Sequence, residues 1–179
     1  MELRRSTKGD PDVRAWMAVH YSAPKGFVGR QLVYKVFHED VCYGAIVAGS
    51  ATRFLPGRAE FFGKQPPLNN LVNNTFFHVE KQNGEYPIRN FTTAAIRLWR
   101  ETVRCDWPMT YGDEVLGWET LVELPRSGEC YRRDGWAQTG VTKGFTCKRT
   151  AGRGTDSWSG KRVWDMTNLR PKAVFLRKV

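Results

Sequence analysis

NFTTAAIRLWRETVRC, residues 90–105, sets apolar side chains at Phe91, Ala95, Leu98, Trp99 and Val103, with Arg97, Arg100, Glu101 and Arg104 between them. Steps of three and four put the first set on one stripe of an α-helix, and the charges fall elsewhere around it. Asn90, just before the stripe, is expected to cap it. Such a helix must bury its stripe against a second layer, and both flanking segments read as strands. LVNNTFFHVE (71–80) precedes it and VLGWETLVE (115–123) follows.

The reading extends outward from that strand–helix–strand unit. Residues 11–20 predict a short helix, with Asp10 as N-cap, Pro11 at the first helical position and Val13, Trp16, Met17 and His20 at helical spacing. QLVYKVF and VCYGAIVAGSAT, either side of His38-Glu39-Asp40, predict a hairpin. Residues 53–68, with Pro56-Gly57, Gly63 and Pro66-Pro67, read as an irregular crossing. A short helix is expected over 127–133, stopped by Gly135. AQTGVTKGF and KRVWDMTNL are expected to supply the last two strands around the Gly/Arg-rich AGRGTDSWSGK. This predicts one α/β (α+β) domain over residues 1–179, a mixed, mostly antiparallel sheet flanked by helices, with residues 1–10 a flexible lead-in.

The composition, 41% hydrophobic, suits a globular protein, and no apolar run approaches the roughly 18 residues of a membrane span. The N-terminus lacks the apolar segment of a secretory signal, so a cytoplasmic location is expected. Cys42, Cys105, Cys130 and Cys147 form no CxxC pair, and His20, His38 and His78 do not complete a zinc pattern, so reduced thiols and no metal are expected. A net charge of +10 points to a polyanionic partner, DNA among them. Basic residues thicken toward the C-terminus around Trp158 and Trp164, a mixture suited to phosphates and unstacked bases.

The element order resembles that of the GNAT acyltransferases, whose strand–helix–strand core holds an acyl-CoA. In that family a pattern R/Q-x-x-G-x-G/A opens the long helix and its backbone amides hold the pyrophosphate, the natural use of a helix N-terminus. Arg89-Asn90-Phe91-Thr92-Thr93-Ala94 stands at those positions, with threonine at 92 where glycine is usual. The resemblance makes Arg89, Asn90, Thr92 and Thr93 the expected cofactor-binding residues for acetyl-CoA or a similar donor. The family's tyrosine, in Tyr-x-x-x-Gly-Phe, is matched by Tyr131 through Gly135-Trp136, and would protonate a leaving thiolate.

A narrower resemblance is to the Mom-like DNA-modification proteins of phages and the related domain of Druantia defence proteins. It rests on His20-Tyr21-Ser22 with Pro24-Lys25-Gly26, on Leu68 to Asn74, and most densely on Trp118-Glu119-Thr120-Leu121-Val122, Gly128 to Trp136 and Gly140 to Gly144. Those proteins add a carbamoylmethyl group to adenine N6. The likeness implies that His20 and Tyr131 lie at the reaction centre with Glu119 beside them as catalytic residues. DNA contacts are expected from Tyr21, Ser22 and Lys25, from Lys143 at a phosphate, and from Trp136, Trp158 and Trp164 as aromatic faces for an extruded base. One departure is that Asn73-Asn74 is followed by Thr75, where the Druantia-type strand has arginine. The leading expectation is a transferase acting on a base amine in DNA, which must be extruded from the stack to react. A non-catalytic DNA-binding defence or counter-defence module is one alternative. A GNAT N-acetyltransferase for a small amine or a protein is the other.

Overall fold

The computed structural model describes residues 1–22, 24, 26–145 and 169–179 in full, and the backbone alone of 146–149 and 162–165. The helix expected from the apolar stripe forms as α3, Phe91–Tyr111, after the shorter α1 (Pro11–Val19) and α2 (Arg58–Phe62) and before α4 (Glu129–Arg133). Strands β1 (Glu2–Ser6), β2 (Gln31–His38), β3 (Val41–Ser50), β4 (Leu71–Val79), β5 (Gly117–Glu123), β6 (Ala137–Val141) and β9 (Lys172–Lys178) make one sheet in the order β1-β2-β3-β4-β5-β9-β6. Strands β7 (Thr146–Arg149) and β8 (Arg162–Asp165) pair separately as a ribbon.

Every neighbouring pair in the large sheet is antiparallel except β4 and β5. Parallel neighbours need a crossover, and α3 is that crossover. Its stripe of Phe91, Ala95, Ile96, Trp99, Val103 and Trp107 is buried on one face of the sheet, against Tyr34, Ile46, Val72, Trp118 and Phe175. On the opposite face α1 packs Val13, with Trp16 and Met17 beside it, over Val33, Ala45, Val47 and Phe76. The mixed, helix-flanked sheet therefore forms as its residue patterns require.

Local chemistry accounts for the helix ends. Asp10 caps α1 by accepting from the N–H groups of Asp12 at 2.9 Å and Val13 at 3.4 Å. α4 stops where Gly135 turns left-handed, at φ 79°, and donates its N–H to the Arg132 carbonyl. An L side chain is strained at that φ, which favours glycine there.

Four expectations are corrected. Residues 2–6 are not a flexible lead-in, because they pair along the whole of β2 from Glu2 opposite Phe37 to Ser6 opposite Val33. Asn90 lies at φ 58° and does not cap α3 with its side chain, whose oxygen instead accepts from Arg133 at 2.8 Å. The segment read as an irregular crossing contains α2. The last sheet strand is KAVFLRK, not KRVWDMTNL. Ala173, Val174, Phe175 and Leu176 are all buried, as the continuous apolar run of a strand covered on both faces must be.

Candidate active site

β4 and β5 pair over only four residues, from Leu71–Gly117 to Asn74–Thr120, and then part. A bulge starts the parting: Val47 opposes Phe76 and Ala48 opposes Asn74, so Thr75 is an extra residue on β4. Among the described residues, no strand pairs with the β5-facing backbone of residues 75–79 or the β4-facing backbone of 121–123; the His20 and Tyr21 side chains reach the backbone of Phe77 and Glu123 there. The fork opens a cleft of about 630 Å³ lined from both faces of the sheet.

From the α4 face, Tyr131 reaches the fork. Its ring is buried against Trp136 and Phe175, and its hydroxyl donates to Asn74 Oδ1 at 2.6 Å. Thr120, beside Asn74, donates its hydroxyl to the Asn74 main-chain oxygen at 2.9 Å. Burial holds the Tyr131 hydroxyl well above its ordinary titration range, so it keeps its proton. Cys130 also lines the cleft, and burial pushes its thiol up to about 11.

From the α1 face, His20 lines the same cleft at the end of its helix, its ring 4.8 Å from Phe76 and 4.1 Å from Tyr21. Its Nδ1 lies 2.8 Å from the Ser22 hydroxyl and accepts the Ser22 N–H at 3.3 Å, which leaves the neutral ring's proton on Nε2. Burial, then the neighbouring His78, lowers its pKa from 6.5 to about 4. At neutral pH His20 is uncharged, and its other ring nitrogen is the Nε2–H donor. Tyr21 carries Arg126 over its ring at 3.6 Å, and Arg126 and Lys172 line the cleft.

The structure thus brings His20, Tyr21, Ser22 and Tyr131 to one cleft and sets Glu119 elsewhere. Glu119 is fully buried on the α2 side, where it pairs with Arg58 at 2.7 Å and accepts the Thr52 N–H at 2.5 Å. Burial raises its pKa, and Thr52 and Arg58 oppose the rise. Trp136, expected at a DNA surface, is 3% exposed and donates its indole N–H to Asp134 at 2.9 Å, so it has no face free for a base. Lys143 is exposed in a second groove of about 680 Å³, with Phe54, Phe145, Arg170 and Lys172, which meets the cleft at Ser22, Leu121 and Lys172. Lys25, Trp158 and the Trp164 side chain lie outside the described residues.

The four residues expected to hold a donor divide. Thr92 lines the cleft, Asn90 and Thr93 line a smaller groove at the start of α3, and Arg89 is exposed. Arg97 and Arg133 edge that smaller groove. The sequence reading passed over both, as it did Asn74 and Arg126. A polar Asn73-Asn74 pair inside an otherwise apolar strand was the available signal, since a buried amide must find partners. Among the described residues no three His, Cys, Asp or Glu side chains gather as a metal site, and no helix is long and apolar enough to cross a membrane.

No protein-family model matches the sequence, and no curated protein matches it. Solved structures do match in fold. A Bacillus subtilis acetyltransferase in complex with CoA is 9% identical with a TM-score of 0.60, over 99% of this chain and 97% of that one. A GNAT family acetyltransferase from Elizabethkingia anophelis with acetyl-CoA bound is 8% identical with a TM-score of 0.56, over 99% and 97%. The aminoglycoside 6'-N-acetyltransferase of Enterococcus faecium is 9% identical with a TM-score of 0.54, over the same shares. The chain has the fold of the GNAT acetyltransferases.

Proposed function

We propose that this chain is an acyl-CoA-dependent N-acyltransferase whose donor lies in the β4–β5 fork and whose acceptor amine enters from the His20 face. The observation that carries the reading is the fork itself, with unpaired strand edges on both sides and a protonated tyrosine over it. The residues present suit such a donor. Unpaired edges offer backbone donors and acceptors to its amide-bearing arm, as a sheet edge does to an added strand. The N-terminus of α3, flanked by Arg97 and Arg133, offers N–H groups and cations to its phosphates. Two of the fold neighbours hold CoA or acetyl-CoA.

When bound, the donor supplies an acyl group on a sulfur that can leave. Tyr131 holds a proton for that sulfur, because its hydroxyl stays un-ionised. His20 is neutral, with Nδ1 taken by Ser22 and Nε2–H a donor, so it shapes the amine's path as an uncharged wall of the cleft; with its pKa near 4 it does not take the amine's proton at neutral pH. The phenol, the imidazole and the fork edges then converge on one cleft, the arrangement a transfer between two bound partners requires.

A second reading, a Mom-like transfer to a base amine in DNA, is favoured by the net charge of +10 and by Asn74, Tyr131 and His20 meeting on the cleft. One experiment separates the two. Thiol release from acetyl-CoA is followed with alkylamines, an N-terminal peptide and single-stranded DNA as acceptors. DNA from expressing cells is digested and its nucleosides weighed. Release with an amine or peptide and unshifted nucleosides supports the first reading; a mass-shifted adenine supports the second. No release with any acceptor and no shifted nucleoside refutes both.

A further inference from the structure

We propose that Asn74 is a positioning residue for Tyr131, holding the phenol proton on a neutral amide oxygen at the fork until a departing sulfur claims it; this rests on the acyltransferase reading above. Asn74 belongs to the last β4–β5 pair before the strands part, opposite Thr120. Its side-chain Nδ2 donates to two carbonyls, Val47 and Phe76, each at 3.3 Å. Turning the amide over would set its oxygen against both of those oxygens, so the orientation is fixed by the bulge. Oδ1 must then face Tyr131, and an oxygen requires a donor. The single proton of Tyr131 is therefore committed to Asn74, at 2.6 Å, in the free protein.

The choice of partner matters chemically. In the transfer the acyl carbon–sulfur bond breaks and an acyl–nitrogen bond forms. The sulfur leaves with the bonding pair and takes the phenol proton, and the proton lost by the amine returns to the phenol through solvent. A neutral amide oxygen is the weaker acceptor, since hydrogen bonds to an anion are roughly twice as strong as neutral ones. Asn74 thus fixes the hydroxyl and yields its proton to the developing thiolate. A carboxylate at position 74 would compete for it. Without a side-chain acceptor there, the buried hydroxyl would turn to the neighbouring Thr120 hydroxyl and lose the direction that Asn74 gives it.

The test uses Asn74→Ala, Asn74→Asp, Tyr131→Phe and the Asn74→Ala/Tyr131→Phe pair. Two donors are compared: acetyl-CoA, and S-phenyl thioacetate, whose more acidic thiol leaves without a proton. Asn74→Ala is expected to slow acetyl-CoA turnover about tenfold and S-phenyl thioacetate turnover less than about twofold, a share of the roughly hundredfold or greater effect of a general acid. Asn74→Asp is expected to be slower still on acetyl-CoA, and the double variant no slower than Tyr131→Phe, as residues acting as one unit behave. If Asn74→Ala melts below the assay temperature, Asn74→Ser replaces it. Equal slowing on both donors would mark a merely structural asparagine and overturn the proposal. A readout without turnover is the ζ-carbon NMR signal of Tyr131 in the free protein, which is expected to move in Asn74→Ala. An unmoved signal overturns the proposal. Failure of the wild type to bind acetyl-CoA in a calorimeter instead overturns the acyltransferase reading on which the proposal rests.

Discussion

Replacing Arg58 with alanine asks whether Glu119 belongs to the fold or to the chemistry. Arg58 and Glu119 are both buried, at 1% and 0% exposure, and the pair ties the Thr52 backbone and α2 to the middle of β5. Removing the guanidinium leaves a carboxylate in the interior with only Thr52, through its N–H and hydroxyl, to hold it and no opposite charge, a loss of about 3–5 kcal/mol. For a chain of this size each kcal/mol moves the melting temperature by about 2–4 °C, so Arg58→Ala is expected to melt about 6–20 °C lower by differential scanning calorimetry. Replacing both partners, Arg58→Met with Glu119→Leu, removes the charges together and is expected to recover most of that loss. The recovered protein should retain acyl transfer at an assay temperature below its melting point. Single variants melting within about 2 °C of wild type would refute the buried-pair reasoning. A stable double variant that has lost transfer would return Glu119 to the reaction.

Two other outcomes are expected. His20 titrates at 6.5 unfolded and near 4 folded, so the unfolded chain binds more protons between those values and stability is lost as pH falls through that window; His20→Gln should remove about 2 kcal/mol of that loss, after allowance for solvent at the cleft mouth, measured as the difference in urea midpoints at pH 7 and pH 4. The pair Arg97→Gln and Arg133→Gln should weaken binding of acetyl-CoA about tenfold or more and leave binding of acetyl-pantetheine, which lacks the diphosphate, within about twofold; equal weakening of the two by calorimetry would move the phosphate site off α3.

The parts of the fold that were legible in the sequence are those with a strong local period. α3 announced itself through its apolar stripe, α1 through Asp10-Pro11, and the β2–β3 hairpin through alternation around a polar turn. β9 was missed because KAVFLRK is a short apolar run set among basic residues, and its burial comes from β5 and β6, about 50 and 30 residues away in sequence. β1 was missed because ELRRS is a charged edge strand, with little apolar alternation to read.

The candidate site divides along the same physical line. His20 and Tyr131 stood in local patterns that resembled known ones, and the fold brings both to the fork. Glu119 stood in such a pattern too, but the residue that pairs with it lies 61 positions upstream in a segment that read as coil, so nothing local distinguished a buried ion pair from a reactive carboxylate. Trp136 is hidden by its hydrogen bond to Asp134, itself held by Arg100 at 2.6 Å, and that network spans α3, α4 and the turn after it. Asn74 could be seen as a polar residue in an apolar strand, but its partners are set by the bulge and by α4, which only the assembled sheet defines.

The most direct test of the central claim is calorimetric titration of acetyl-CoA into the wild-type protein and into Thr120→Trp, which fills the fork without touching Arg97 or Arg133. The account predicts one saturable site on the wild type and at least about a hundredfold weaker binding to the variant, titrated below the lowered melting temperature that overpacking a buried position brings. No binding to the wild type, or equal binding to a folded Thr120→Trp, would contradict the placement of an acyl donor between β4 and β5.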